Sequence, residues 1–186
     1  VRAPAGWREL VPLAPDHGVL GRELAAIELV RKAVGPDVHV LPTIFSPLTV
    51  AKQLAGDAVT EHLRAAPDDL EAGLRTIADT VARFAAACLD HGADAIFFAA
   101  QMARRDLLSE QEYARFGEPY DLTVIEAVRP RSELVLLHLH GMSPMFDLAN
   151  RYDPDIVNWH DRETPPSLAD GLARLRRGAV MGGLNR

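Results

Sequence analysis

Two short strings hold the residues best able to do chemistry. They are His138-Leu139-His140-Gly141 and His160-Asp161-Arg162-Glu163. On a strand, side chains two apart point to the same side, so His138 and His140 face one cavity. Two imidazoles at that spacing supply half of a zinc site, given a third protein ligand and an open position. They equally suit binding a carboxylate, relaying a proton near neutral pH, or plain hydrogen bonding at a strand end. In the second string, Arg162 can clamp a substrate carboxylate through two parallel hydrogen bonds. Asp161 or Glu163 becomes an acid or base if desolvation raises its pKa, and otherwise the run is a solvated loop whose charges pair internally. Gly182-Gly183-Leu184-Asn185 offers unobstructed backbone N–H groups to an anion, or simply makes a tight turn. The expected catalytic set is His138, His140, His160 and Asp161, with His138 and His140 as the metal pair. The expected substrate-binding set is Arg162, Gly182, Gly183, Asn185, Ser46 and Gln101.

The elements that must position these residues alternate between strand and helix. Apolar residues at helical spacing over Arg22–Val34 predict a helix, which Gly35-Pro36 stops. The β-branched run Val38–Ile44 predicts a strand, with Pro42 placing its effective end. Ser46 and Pro47 then open a second helix as N-cap and first helical residue. Leu70, Leu74, Ile77, Val81, Phe84 and Cys88 form one apolar stripe of a long helix over Asp68–His91. Cys88 belongs to that stripe and reads as a small core residue. Asp94–Phe98 is the next strand, and Ser109-Glu110-Gln111-Glu112 is a capping box opening a helical stretch to Arg129-Pro130. Leu134–Leu137 is an apolar run suited to a parallel strand covered on both faces. A short helix at Ser143-Pro144, a strand at Ile156–Trp159, a helix from Ser167 to Gly178 and a strand at Ala179–Met181 complete the series.

This alternation predicts an α/β fold with a parallel sheet. No GxGxxG loop follows the first strand, which argues against a doubly wound dinucleotide fold. The remaining architecture is a (β/α)8 TIM barrel of which about five βα units are visible, read as one domain over residues 1–186 lacking its first and last segments. In such a barrel reactive groups sit at the C-terminal ends of strands, where Ser46, Gln101, His138-His140, His160-Glu163 and Gly182-Asn185 fall.

Composition excludes several classes. With 48% hydrophobic and 25% charged residues the chain is an ordinary globular domain and not a disordered one. A formal charge of −6 argues against nucleic-acid binding. The most apolar stretch, Phe84–Ala100, is broken by Asp90, His91 and Asp94, so a membrane span is not expected. The single cysteine fits a reducing, cytoplasmic setting.

Five ordered strings resemble the uroporphyrinogen decarboxylase superfamily. They are PTIFSPLTVAKQLAG (Pro42 to Gly56), HGADAIFF (His91 to Phe98), LLSEQEYARFGEPY (Leu107 to Tyr120), LLHLHG (Leu136 to Gly141) and GGLN (Gly182 to Asn185). The resemblance implies a TIM-barrel enzyme. By family default it implies a lyase: a cofactor-free decarboxylase acting on a small acidic molecule, such as a tetrapyrrole of porphyrin metabolism. Two positions depart from the true decarboxylases: their tyrosine after the Pro-x-Thr segment is Gln53 here, and their acidic-Ser pair is Ala99-Ala100. The corrinoid-dependent methyltransferases of the superfamily carry His-x-Cys-Gly where this chain has His138-Leu139-His140-Gly141. Their zinc is held by that histidine and cysteine and by a more distal cysteine, which here would lie beyond Arg186. The resemblance therefore leaves a zinc-dependent methyl transfer from a corrinoid protein to a thiol as the alternative. A non-catalytic barrel that binds a tetrapyrrole or corrinoid is the third reading. A homodimer is the expected self-association.

Overall fold

The computed structural model describes residues 1–183. The helix starts follow the capping chemistry written in the sequence. After a short 3-10 turn at Pro4–Glu9 comes α1 (Gly18–Val34), which ends at Gly35. β1 (Thr43–Phe45) leads directly into α2 (Pro47–Ala55), whose N-cap Ser46 accepts the Thr49 N–H at 3.4 Å. α3 (Ala58–Ala65) and the long α4 (Pro67–Asp90) follow, then β2 (Ile96–Ala100). The Ser109–Glu112 capping box opens α5 (Glu110–Phe116), and α6 (Glu118–Val128) continues from Gly117. β3 (Val135–Leu139), a 3-10 turn at Phe146–Leu148, α7 (Ala149–Tyr152), β4 (Ile156–Trp159), α8 (Leu168–Arg174) and β5 (Ala179–Met181) complete the order.

The five strands are all parallel and stand in chain order, β1-β2-β3-β4-β5. Each crossover adds its strand to the same edge, so the sheet has no switch point of the doubly wound kind. It is five successive units of an incomplete barrel. Alternation along the strands divides the sheet faces. Ile44, Ile96, Phe98, Ala100, Val135, Leu137, Leu139, Val157 and Trp159 join the buried core shared with the helices. Phe97, Leu136, His138 and Asn158 hold the alternate positions, on the face that in a barrel looks toward the axis.

Several boundaries differ from the sequence reading. Val38–Ile44 is not a strand throughout: Pro42 has no N–H to donate, and the ladder is assigned only from Thr43. Val40 and Pro42 still accept hydrogen bonds, from the Asp94 and Phe97 N–H groups, at 3.0 Å each. The second strand starts at Ile96 and not Asp94, because the Asp94 carboxylate is clamped by Arg31 and by the Val40 N–H. Both strands also end later than expected, and Ala99, Ala100 and His138 lie inside strands. The helix expected at Ser143-Pro144 starts only at the 3-10 turn, since Ser143 has φ 59° and cannot sit in a right-handed helix. The last helix stops at Arg174.

In α4 the stripe drifts around a helix of 24 residues: Leu70, Leu74, Ile77 and Cys88 are buried, but Ala78, Ala82 and Ala85 fill the middle while Val81 and Phe84 are half-buried. Burial pushes the Cys88 thiol up to about 12, which makes it inert core. Among the described residues no helix is long and apolar enough to cross a membrane.

The helical layer also buries a carboxylate. Asp121 of α6 is fully buried, and its Oδ2 accepts the Tyr113 and Tyr152 hydroxyls at 2.6 and 2.7 Å. Burial pushes this carboxyl up to about 7, against the opposing pull of the two phenols. A folded pKa raised from 3.8 means that the folded state holds a proton which the unfolded chain has lost. Stability therefore falls as pH rises from about 4 to about 7 and is flat above. Compared with Asp121→Asn, the wild-type protein should lose roughly 2–3 kcal/mol between pH 5 and pH 8. Urea unfolding of both proteins at the two pH values checks this, and parallel pH dependence would contradict it.

Candidate metal centre

β3 and β4 end on the same pattern. His138-Leu139-His140 and Asn158-Trp159-His160 each place two polar side chains on one face and a large apolar one on the other. The parallel register pairs His138 with Asn158 and Leu139 with Trp159, so His140 and His160 emerge side by side. Trp159 anchors the arrangement from behind. Its indole N–H donates to the Pro166 carbonyl at 2.8 Å, and its ring packs so closely on α8 that a Cβ at Gly171 would lie 2.5 Å from it.

The three imidazoles converge. His138 Nε2 lies 3.5 Å from His140 Nδ1, and His160 Nε2 lies 3.2 Å from the same atom. One candidate ligand atom from each ring falls within 4.8 Å of the other two, and all three rings are half-buried. A tetrahedral zinc with Zn–N bonds of about 2.0–2.1 Å holds its nitrogens about 3.4 Å apart. Two of the three separations sit close to that edge length and the third ligand atom lies within 4.8 Å of the others, so the donor set fits a three-imidazole zinc site.

Neighbouring groups fix the first ring. Asn158 Nδ2 donates to the Met181 carbonyl at 2.9 Å, which turns its Oδ1 toward His138 Nδ1 at 2.6 Å. An amide oxygen only accepts, so His138 carries its proton on Nδ1 and presents the Nε2 lone pair to the cluster. Phe97 stacks on the same ring, with centroids 5.2 Å apart and planes at 28°. Neither Asn158 nor Phe97 was among the residues singled out from sequence. The signal for Asn158 was its place two before His160, which mirrors the place of His138 before His140.

The other expected residues divide. Asp161 Oδ1 accepts the Gly183 N–H at 2.6 Å, so the anion held at the glycine turn in this structure is the protein's own carboxylate. Gly182 lies against Leu168, where a Cβ would come within 2.9 Å of its Cδ1. Arg162 is exposed. Asn185 lies outside the described residues. Ser46, expected to bind substrate, is instead fully buried, and its hydroxyl is engaged in capping α2. Gln101 follows β2, half-buried, with its N–H on Thr49 Oγ1 at 3.1 Å.

Loops after the strands are tied to one another. Arg104 and Pro144 form an antiparallel bridge, and Met145 N–H donates to the Ala103 carbonyl at 2.9 Å. Gly141, directly after His140, has φ 83°, and the Arg104 guanidinium lies 2.9 Å from where its Cβ would be. Only glycine fits there.

A parallel (β/α) sheet with polar side chains gathered where its strands end is the layout of a barrel enzyme. The chain belongs to the uroporphyrinogen decarboxylase (URO-D) family, whose model matches residues 1–186. It is similar to the methylcobamide:CoM methyltransferase MtbA of Methanosarcina mazei, with 26% identity over 126 residues, 68% of this chain and 37% of that protein. It is also similar to the methylcobamide:CoM methyltransferase MtaA of Methanosarcina barkeri, with 33% identity over 94 residues, 50% of this chain and 28% of that protein. A solved methyltransferase from Methanosarcina mazei has the same fold, with a TM-score of 0.78 at 22% identity over 92% of this chain and 51% of that one. The matches thus span about half or less of these relatives' lengths.

If His138 is a metal ligand set by Asn158, Asn158→Ala should weaken zinc binding about 10–100-fold, the usual cost of losing such a partner. Competition with a chromophoric chelator measures this. An unchanged Kd would remove Asn158 from the site.

Proposed function

We propose that the chain forms the metal-holding part of a methyltransferase that moves a methyl group from a methylated corrinoid to a thiol. The observation that carries this reading is the convergence of His138, His140 and His160, with their ligand atoms within 4.8 Å of one another and two separations near the edge of a tetrahedral zinc site. The curated relatives named above bear methyltransferase names, which favours methyl transfer over the decarboxylation expected first from sequence and leaves the lyase assignment without their support. Zinc in such a site supplies Lewis acidity at its open position and makes a bound thiol easier to deprotonate.

The chain's own residues do the rest. His138, held in one tautomer by Asn158, gives Nε2; His140 gives Nδ1 and His160 gives Nε2. Three neutral imidazoles leave the metal its full positive charge, where thiolate ligands would offset part of it. Held by these residues, zinc would acidify a thiol more strongly than it would with a His-Cys-Cys set. The stack of Phe97 on His138 gives the site one apolar wall. Asp161 holds the glycine turn after β5 against the loop after β4, and through that contact shapes the rim. Arg162 and Gln101 are the rim residues assigned to the acidic end of the substrate. The partner in this reading is a corrinoid protein, and the cofactor is zinc.

The full-length purified protein should contain about one zinc per chain and lose it in a His138→Ala, His140→Ala, His160→Ala variant. With methylcobalamin and a small acidic thiol it should form the thioether, and that variant should be at least about 100-fold slower. Absence of zinc after zinc is offered would overturn the reading. So would thioether formation that the variant leaves unchanged.

A further inference from the structure

Arg104 is half-buried at the strand ends, and the chemistry described above does not use it. Its neighbour shows which way it points. Arg104 and Pro144 form the antiparallel bridge between the loops after β2 and β3, and side chains alternate along such a ladder. Arg105 turns outward, to Glu110 of α5 at 2.7 Å and to the Pro144 carbonyl at 2.6 Å. Arg104 turns the other way and lies over Gly141. Its Cζ, Nη1 and Nε stand 2.9, 2.9 and 3.0 Å from the place a Gly141 Cβ would take, so the flat face of the guanidinium covers that glycine. His140 is the next residue back, about 3.8 Å away between Cα atoms. Its Nδ1 is the atom that both other imidazoles approach.

Asp106 fixes one edge of the fork. Arg104 Nε donates to Asp106 Oδ1 at 2.8 Å, and Nη2 donates to Oδ2. A guanidinium has five N–H donors, and this chelate uses two of them. Nη1 makes no hydrogen bond among the described residues. The same guanidinium holds the Asp106 carboxyl below the usual range, so the chelate persists through neutral pH. One edge of a charged, planar donor is therefore occupied and oriented, and the other is open beside the imidazoles. Arg162 differs in being exposed, where salt screens its charge and binding must first immobilise a long side chain. Arg104 has already lost that freedom, and only 24% of its side chain is exposed.

We propose that Arg104 determines specificity for an acidic thiol: the open edge of its guanidinium takes the carboxylate of a short thiol acid whose sulfur lies at the three imidazoles. The thiol in this proposal rests on the methyltransferase reading, and Arg104 names what selects it. Two parallel N–H···O bonds to a carboxylate are a geometry that a neutral group cannot match. Losing hydrogen bonds to a charged group costs about 10–100-fold in affinity, and that is the discrimination expected here.

The test is calorimetric titration of the zinc-loaded full-length protein with 3-mercaptopropionate and with its amide, which differ in charge and not in chain length. The wild type should bind the acid about 10–100-fold more tightly than the amide. Arg104→Gln should weaken the acid until the two bind alike. Arg104→Lys keeps a cation beside Asp106 but lacks the fork; it should lose most of the preference, and it decides the matter if Arg104→Gln does not fold. Equal binding of acid and amide by the wild type would overturn the proposal. So would a full preference that survives in either variant, or one removed by Arg162→Gln while Arg104→Gln keeps it. These outcomes leave the metal reading standing, because both thiols still bind. Binding of neither thiol would instead sink the methyltransferase reading and take this proposal with it.

Discussion

Pairing of β3 with β4 in the register that sets His138 against Asn158 is the constraint on which the site depends. Side chains alternate with a period of two along a strand, so a slip of one residue would turn one strand's polar pair toward the helices. The register is held from the other side of the sheet. Leu139 and Trp159 are almost fully buried, and exposing either would cost about 1.5–3 kcal/mol or more of apolar burial. The core thus fixes the imidazoles indirectly: what Trp159 packs against decides where His160 points.

The two ends of the strands carry different residues. At the starting ends, carboxylates grip backbone N–H groups: Asp94 holds Val40 and Asp155 holds Val135, at 2.7 and 2.8 Å. At the finishing ends stand the imidazoles, a glycine at positive φ and loops tied by Arg104 and Thr164. Aspartate at one end and histidine at the other is the division of labour expected of a barrel, with stability below and chemistry above. Asp121 stands outside this scheme. It is a buried acid that lowers stability at neutral pH.

Much of this was legible in the sequence because the signals were local. Caps at Ser46, Ser109 and Ser167 mark helix starts that depend on a side chain and the backbone three residues away. The strands at Ile156–Trp159 and Ala179–Met181 were bounded by turn residues. His138 and His140 could be paired because alternation is itself a local rule. His160 was found as a reactive residue but not as a partner of the other two, since that needs the β3–β4 register, a long-range fact. Asn158 was missed for the same reason. The start of β2 was placed too early because the capture of Asp94 by Arg31, on a helix far back in the chain, leaves no local trace. Ser46 was read as a substrate ligand from its place after a strand, but its burial cannot be seen in its neighbours.

The central claim is that His138, His140 and His160 together hold one metal. X-ray absorption at the zinc edge of the zinc-loaded protein tests it most directly. The account predicts a first shell of three imidazole nitrogens at about 2.0–2.1 Å, with the outer-shell scattering of the rings and one lighter or exchangeable ligand. A first shell with fewer than three imidazoles, or one dominated by protein sulfur at about 2.3 Å, would contradict it.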